Sequence, residues 1–153
     1  MIVGYTTGVF DLFHIGHLNI IRRAKEKCDK LIVGVTTDEL LQVYKNKSPI
    51  IPFEERISIV KSIKYVDEVV PQEDMDKMSH WEKLKFNVVF VGDDWQNTDK
   101  WNKIESDFND VGVAVVYFPY TKGTSSTLIN DILINERKKF CLLYTSPSPR
   151  DTG

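Results

Sequence analysis

Five short apolar runs punctuate this chain, at residues 2–6 (IVGYT), 31–36 (LIVGVT), 68–70 (EVV), 87–91 (NVVFV) and 113–118 (VAVVYF). None alternates cleanly between apolar and polar residues. A strand with one wet face alternates, whereas a strand covered on both faces does not. Between the runs lie segments of helical period. Leu18, Ile21, Ala24 and Cys28 fall on one face of a helix over about 16–28. Phe53, Ile57, Val60 and Ile63 do the same after Pro52, a residue suited to a helix's first turn. Leu128, Ile129, Ile132 and Leu133 mark a last helix, with Ser125 or Ser126 available as its cap. Strands alternating with helices build βαβ units, so the expected class is α/β: an open parallel sheet of about five strands with helices on both faces.

Length and charge narrow the function classes. At 153 residues, 42% hydrophobic and 27% charged, the chain fits one globular domain with a real core. Twenty Lys and Arg against 22 Asp and Glu leave a net charge of -2, which argues against a general nucleic-acid binder. No apolar run reaches the length of a membrane span, and no secretory signal is visible at the amino end. Cys28 and Cys141 are too few for a disulfide framework or a cysteine metal site. The expectation is a cytoplasmic domain over residues 1–140. Residues 141–153 (CLLYTSPSPRDTG) stand apart. They carry two Ser-Pro pairs and no periodicity, and they resemble a translated sequencing adaptor joined to a truncated coding sequence.

The most informative stretch follows the first strand: Gly8-Val9-Phe10-Asp11-Leu12-Phe13-His14-Ile15-Gly16-His17. In an open α/β sheet, ligands bind at the carboxyl ends of strands near the topological switch. A helix N-terminus offers free N–H groups and partial positive charge. Gly8 would let the chain turn, and Gly16 would let the helix start pack close to a phosphate. His14 and His17, three residues apart, can point at one anion and stabilise charge building on it. Zinc binding, general-base chemistry and a purely structural role compete with this reading. Zinc lacks a recognisable third ligand, and a base lacks an adjacent nucleophile.

His14-Ile15-Gly16-His17 matches the HxGH signature of a nucleotidyltransferase superfamily. The longer block GVFDLFHIGH, followed by RRAKEKCDKLIVGVTTDE, resembles its cytidylyltransferase branch, most closely the glycerol-3-phosphate cytidylyltransferases. The likeness runs from Val3 to about Ile134. It implies a Rossmann-like fold, and transfer of CMP from CTP to an alcohol phosphate with release of pyrophosphate. By resemblance, His14, His17 and Lys45 carry catalysis. Gly8, Val9, Phe10, Gly16, Lys47, Gly92, Asp94, Tyr120, Thr121, Gly123, Thr124, Ser125 and Ser126 bind the nucleotide. Asp11, Lys45 and Lys77 bind the acceptor. Mg²⁺ is the implied cofactor, with ligands that the sequence does not reveal. A homodimer is implied, and the apolar surface around 63–70 would suit its interface.

Two positions qualify the likeness, and the segment Phe53-Glu54-Glu55-Arg56, which also resembles the family, leaves one role open. The segment Tyr120-Thr121-Lys122-Gly123-Thr124-Ser125-Ser126-Thr127 resembles the family's R-T-x-G-I-S-T, but Tyr120 replaces the arginine, a charged fork, and Lys122 is the nearest substitute. Lys64 stands where relatives often carry arginine. Arg56 either supports the site or only pairs with carboxylates. Alternative acceptors are phosphocholine, phosphoethanolamine, a sugar-related phosphate or FMN, the last with adenylyl transfer. A nucleotide-binding regulatory protein without chemistry is a further alternative.

Overall fold

The computed structural model describes residues 1–93, 96–119 and 132. Ten elements follow one another along the described residues, with helices between all successive strands. They are β1 (Val3–Gly8), α1 (Ile15–Glu26), β2 (Lys30–Thr36), α2 (Asp38–Lys45), α3 (Phe53–Lys61), β3 (Glu68–Gln72), α4 (Lys77–Leu84), β4 (Val88–Gly92), α5 (Asp99–Asp110) and β5 (Ala114–Phe118). All strand pairs are parallel, in the order β3-β2-β1-β4-β5. The chain leaves β1 toward one side and returns to its other side with β4. The topological switch therefore lies between β1 and β4, where the carboxyl ends diverge and leave a crevice.

Two buried clusters cover the two faces. Ile21, Ala24, Leu31, Val33, Val35, Val60, Phe90 and Phe118 pack with α1 and α3 on one side. Tyr5, Ile32, Phe86, Val89, Phe108 and Val113 pack with α4 and α5 on the other. Residues 31–35 of β2 contribute to both, which is why that run never alternated.

The five expected strands all form, with ends shifted by a residue or two; Val113 is buried just ahead of β5. Helices α1 and α3 lie on the expected segments. Three helices had no counterpart in the sequence reading: α2, α4 and α5. Each begins at a side-chain cap, Thr37, Asp76 and Thr98, whose oxygen accepts a backbone N–H of the first turn. The expected last helix and the 141–153 tail lie outside the described residues. Ile63, Tyr65, Val66 and Val69, on the surface assigned to a dimer interface, are partly buried against the α1/α3 cluster. No helix among the described residues is long and apolar enough to cross a membrane.

Candidate active site

The turn after β1 is shaped by strain and close packing. Gly8 ends the strand, and a Cβ there would meet the Phe10 ring at 3.0 Å, so the glycine makes room for that ring. The turn itself falls to non-glycine residues: Phe10 (φ 54°) and Leu12 (φ 51°) occupy the left-handed region. Such backbone persists only where its surroundings fix it, commonly at functional sites. Here the fixing groups are visible. Phe10 is buried in the α1/α3 cluster. The Val9 carbonyl accepts from Arg56 Nη1 at 2.6 Å. Both Asp11 carboxylate oxygens accept backbone N–H groups at 2.9 Å, from Ile50 and Ile51.

The two histidines close the start of α1 on themselves. Gly16 N–H donates to His14 Nδ1 at 3.0 Å, and His14 N–H donates to His17 Nδ1 at 3.2 Å. This is a reciprocal capping box with imidazoles in the roles usually taken by Ser and Glu. Each Nδ1 is thereby an acceptor, so in the neutral ring the proton sits on Nε2. Burial lowers the pKa of His14. Burial, aided by His14 and opposed by Asp11, pushes His17 down to about 4. The burial has named walls: Phe10 and Phe13 flank the His17 ring at 5.4 and 5.3 Å, and His14 lies at 4.0 Å.

At neutral pH the pair is therefore two uncharged Nε2–H donors side by side. No acidic residue occupies the first turn of α1 to cancel the helix field. Zinc ligation through Nε2 would move each proton onto Nδ1, against a backbone N–H that already donates there. The caps thus oppose metal binding and favour an anion. The amides of His14 and Gly16 are committed to these caps, so the donors for an anion are imidazole groups rather than those two N–H groups.

The remaining candidates come from the other carboxyl ends of the sheet. Lys45 is the exposed last residue of α2. Asn46 follows in the left-handed region as the C-cap, and Lys47 is exposed beyond it. Asp11 pins this loop to the first turn through residues 50 and 51. Gly92 ends β4 beside β1. Asp94, Trp95, Tyr120, Thr121, Lys122, Gly123, Thr124, Ser125, Ser126 and Thr127 lie outside the described residues.

Lys77 opens α4 and points inward. Only 6% of it is exposed, and its Nζ donates to Thr7 Oγ1, near the carboxyl end of β1, at 2.6 Å. Burial first and Lys100 second, opposed by Asp74, push its pKa down to about 7. When protonated, this amine facing a neutral hydroxyl has donors to spare for an incoming phosphate.

Residues 5–140 match the family model described as Cytidylyltransferase-like. The chain belongs to that family. The matched span of this cytidylyltransferase-like chain ends at residue 140. It is 36% identical over 135 residues to a glycerol-3-phosphate cytidylyltransferase of Staphylococcus aureus, covering 88% of this chain and 96% of the relative. It is 34% identical over 137 residues to an FAD synthase of Pyrococcus abyssi, covering 88% and 91%. Among solved structures it resembles a lipopolysaccharide core biosynthesis protein from Thermoplasma volcanium, with a TM-score of 0.66, 28% identity, and coverage of 81% and 99%. Membership in this family makes the chain a nucleotidyltransferase.

Two features of this cytidylyltransferase-like chain were not legible beforehand. Arg56 donates to the carbonyls of Ile51, Val9 and Thr36 and pairs with Asp38 at 2.5 Å. It both supports the site and pairs with a carboxylate. His80, which had no motif to give it a role, bonds Tyr5 and Asp74.

Proposed function

We propose that this chain transfers CMP from CTP to an alcohol phosphate, glycerol 3-phosphate before others. One acceptor phosphate oxygen attacks the α-phosphorus of CTP. The new P–O bond forms as the bond to the bridging α–β oxygen breaks, and pyrophosphate leaves with that electron pair. The acceptor needs no strong base, because its second pKa is about 6 and it is largely a dianion at neutral pH. Catalysis is then positioning and charge stabilisation. The observation that carries the reading is the pair of neutral imidazoles, His14 and His17, whose Nδ1 atoms accept backbone N–H groups at the start of α1, so that each ring carries its proton on Nε2. Glycerol 3-phosphate is favoured by the Staphylococcus aureus relative, and FMN with ATP is the second reading, favoured by the FAD synthase.

In this reading Lys45 and Lys77 address the acceptor phosphate and Lys47 addresses CTP. Backbone of Gly8, Val9, Gly16 and Gly92 lines the nucleotide side, joined by Asp94 and residues 120–126. Asp11 holds the lysine loop on the acceptor side of the site. Among the described residues no three His, Cys, Asp or Glu side chains form a metal-holding group. Mg²⁺ would neutralise charge on the triphosphate. The protein would work in the cytoplasm, as a homodimer joined near residues 63–70.

Pyrophosphate release, measured with CTP or ATP against glycerol 3-phosphate, phosphocholine, phosphoethanolamine and FMN, tests the proposal. Turnover with CTP and glycerol 3-phosphate alone is the expected result. Turnover confined to ATP and FMN would replace it with the second reading, and nucleotide binding without any turnover would make the chain a regulator. Within the same assay, Lys45→Ala should raise KM for the acceptor more than for CTP, and Lys47→Ala the reverse, since a lysine binds phosphate as a point charge. Equal shifts in both constants would show a diffuse positive field instead of two addresses.

A further inference from the structure

Helix α4 touches the central strand through two polar contacts with matching spacing. Tyr5 and Thr7 alternate by two on β1 and face the same side of the sheet. Lys77 and His80, three apart on α4, share one side of the helix. Lys77 Nζ meets Thr7 Oγ1 at 2.6 Å, and His80 Nδ1 meets the Tyr5 hydroxyl at 3.1 Å. The sheet leaves space for this pair of tips. A Cβ on Gly34 of β2 would lie 2.8 Å from the Tyr5 oxygen and 2.9 Å from Thr7 Cγ2.

The histidine is held from its other side. His80 Nε2 meets Asp74 Oδ1 at 3.0 Å, and that same oxygen accepts the Asp76 N–H at 2.9 Å. Asp76 in turn caps α4 through the Ser79 N–H. Because Asp74 only accepts, Nε2 carries the proton and Nδ1 accepts from the Tyr5 hydroxyl. The chain Tyr5 to His80 to Asp74 thus closes with a neutral imidazole, consistent with the burial that lowers the pKa of His80. Tyr5 is itself immobile: 1% exposed and stacked on Phe86 at 4.7 Å.

We infer that His80 is a positioning residue for acceptor binding: clamped between Tyr5 and Asp74, it fixes the first turn of α4 so that Lys77 reaches the carboxyl end of β1. The inference rests on the proposal that Lys77 meets the acceptor phosphate. Lys77 has to be held there against its own preference for water. One hydrogen bond to Thr7 does not supply that alone, and His80 supplies the second point of attachment one turn along.

The test is steady-state kinetics with CTP and glycerol 3-phosphate on Lys77→Ala, His80→Ala, His80→Gln, Tyr5→Phe and the double variant His80→Ala/Lys77→Ala. His80→Ala and Tyr5→Phe should each raise the acceptor KM by about five- to tenfold, the value of one lost hydrogen bond, with KM for CTP within about twofold. His80→Gln should recover most of the loss, since its amide can both donate to Asp74 and accept from Tyr5. The double variant should be no worse for the acceptor than Lys77→Ala alone, because His80 acts through Lys77. Tyr5→Phe keeps the ring and its stacking, so it carries the test if His80→Ala does not fold. An unchanged acceptor KM in Lys77→Ala would overturn the acceptor-site reading and this inference with it. An impaired Lys77→Ala beside normal His80→Ala and Tyr5→Phe would overturn the inference alone, as would additive losses in the double variant or equal rises in both KM values.

Discussion

Replacing His17 with alanine should lower kcat by about 10²–10³-fold, the usual loss for one preorganised donor at a developing oxyanion. The ring is preorganised on every side: its Nδ1 holds the His14 amide, its faces meet Phe10 and Phe13, and His14 lies beside it. Alanine removes the Nε2–H donor and leaves the His14 amide uncapped. The folding cost should stay near that of a lost cap, about 0.5–2 kcal/mol, so a folded and nearly inactive protein is expected. KM for CTP should change less than kcat, because the donor matters most once charge grows on the phosphate. A variant whose kcat stays within a few-fold of the parent would remove His17 from the chemistry. The pH behaviour gives a second check. His17 falls from 6.5 to about 4 on folding. The unfolded chain therefore binds a proton between these values that the folded chain refuses, and stability drops as pH falls from 6.5 toward 4. The parent should lose melting temperature over that window more steeply than His17→Ala. Turnover that instead climbed as pH fell through 6.5 would mean that an imidazolium, not a neutral imidazole, does the work.

What the sequence revealed depended on whether a residue's task leaves a local pattern. Strands β1 to β5 were legible because burial on both faces forces continuous apolar runs, and α1 and α3 because one apolar stripe suffices to mark them. Helix α4 carries one of its anchors differently. Lys77 is buried by its amine's contact with Thr7, 70 residues away in sequence, and a lysine scores as a surface residue in any periodicity count. The HxGH histidines were legible as a site, but not the reason their donors are Nε2–H: that needed the capping bonds. Asp11 matched a binding motif, while its two loop bonds come from residues 50 and 51, which no spacing rule connects to it. The same is true of Arg56, whose four partners come from three separate segments.

Arg56→Met should be among the most destabilising single changes in the described structure. The guanidinium is wholly buried, and its forked donors satisfy Val9 and Thr36 through Nη1, Ile51 through Nε, and Asp38 through Nη2. Methionine fills much of the volume but answers none of these acceptors. Breaking a buried charge pair from one side costs about 3–5 kcal/mol. The Asp38 side chain is 37% exposed and can rehydrate, which moves the figure toward the lower end. The three carbonyls have less recourse, since the Thr36 carbonyl belongs to a residue only 1% exposed. A fall in melting temperature on the order of 10 °C is expected for a chain of this size. Arg56→Lys should recover only part of it, because one ammonium cannot fork toward four acceptors in three segments. The loss should also reach the chemistry. Val9 leads into the left-handed turn at Phe10, and Ile51 is pinned by Asp11 beside the lysine loop. In protein kept cold enough to stay folded, Arg56→Lys should therefore raise KM for both substrates together, where Lys45→Ala and Lys47→Ala each raise one more than the other. A methionine variant melting within a degree or two of the parent would show that the four bonds are geometrical coincidence. A lysine variant with both KM values unchanged would confine Arg56 to holding the fold.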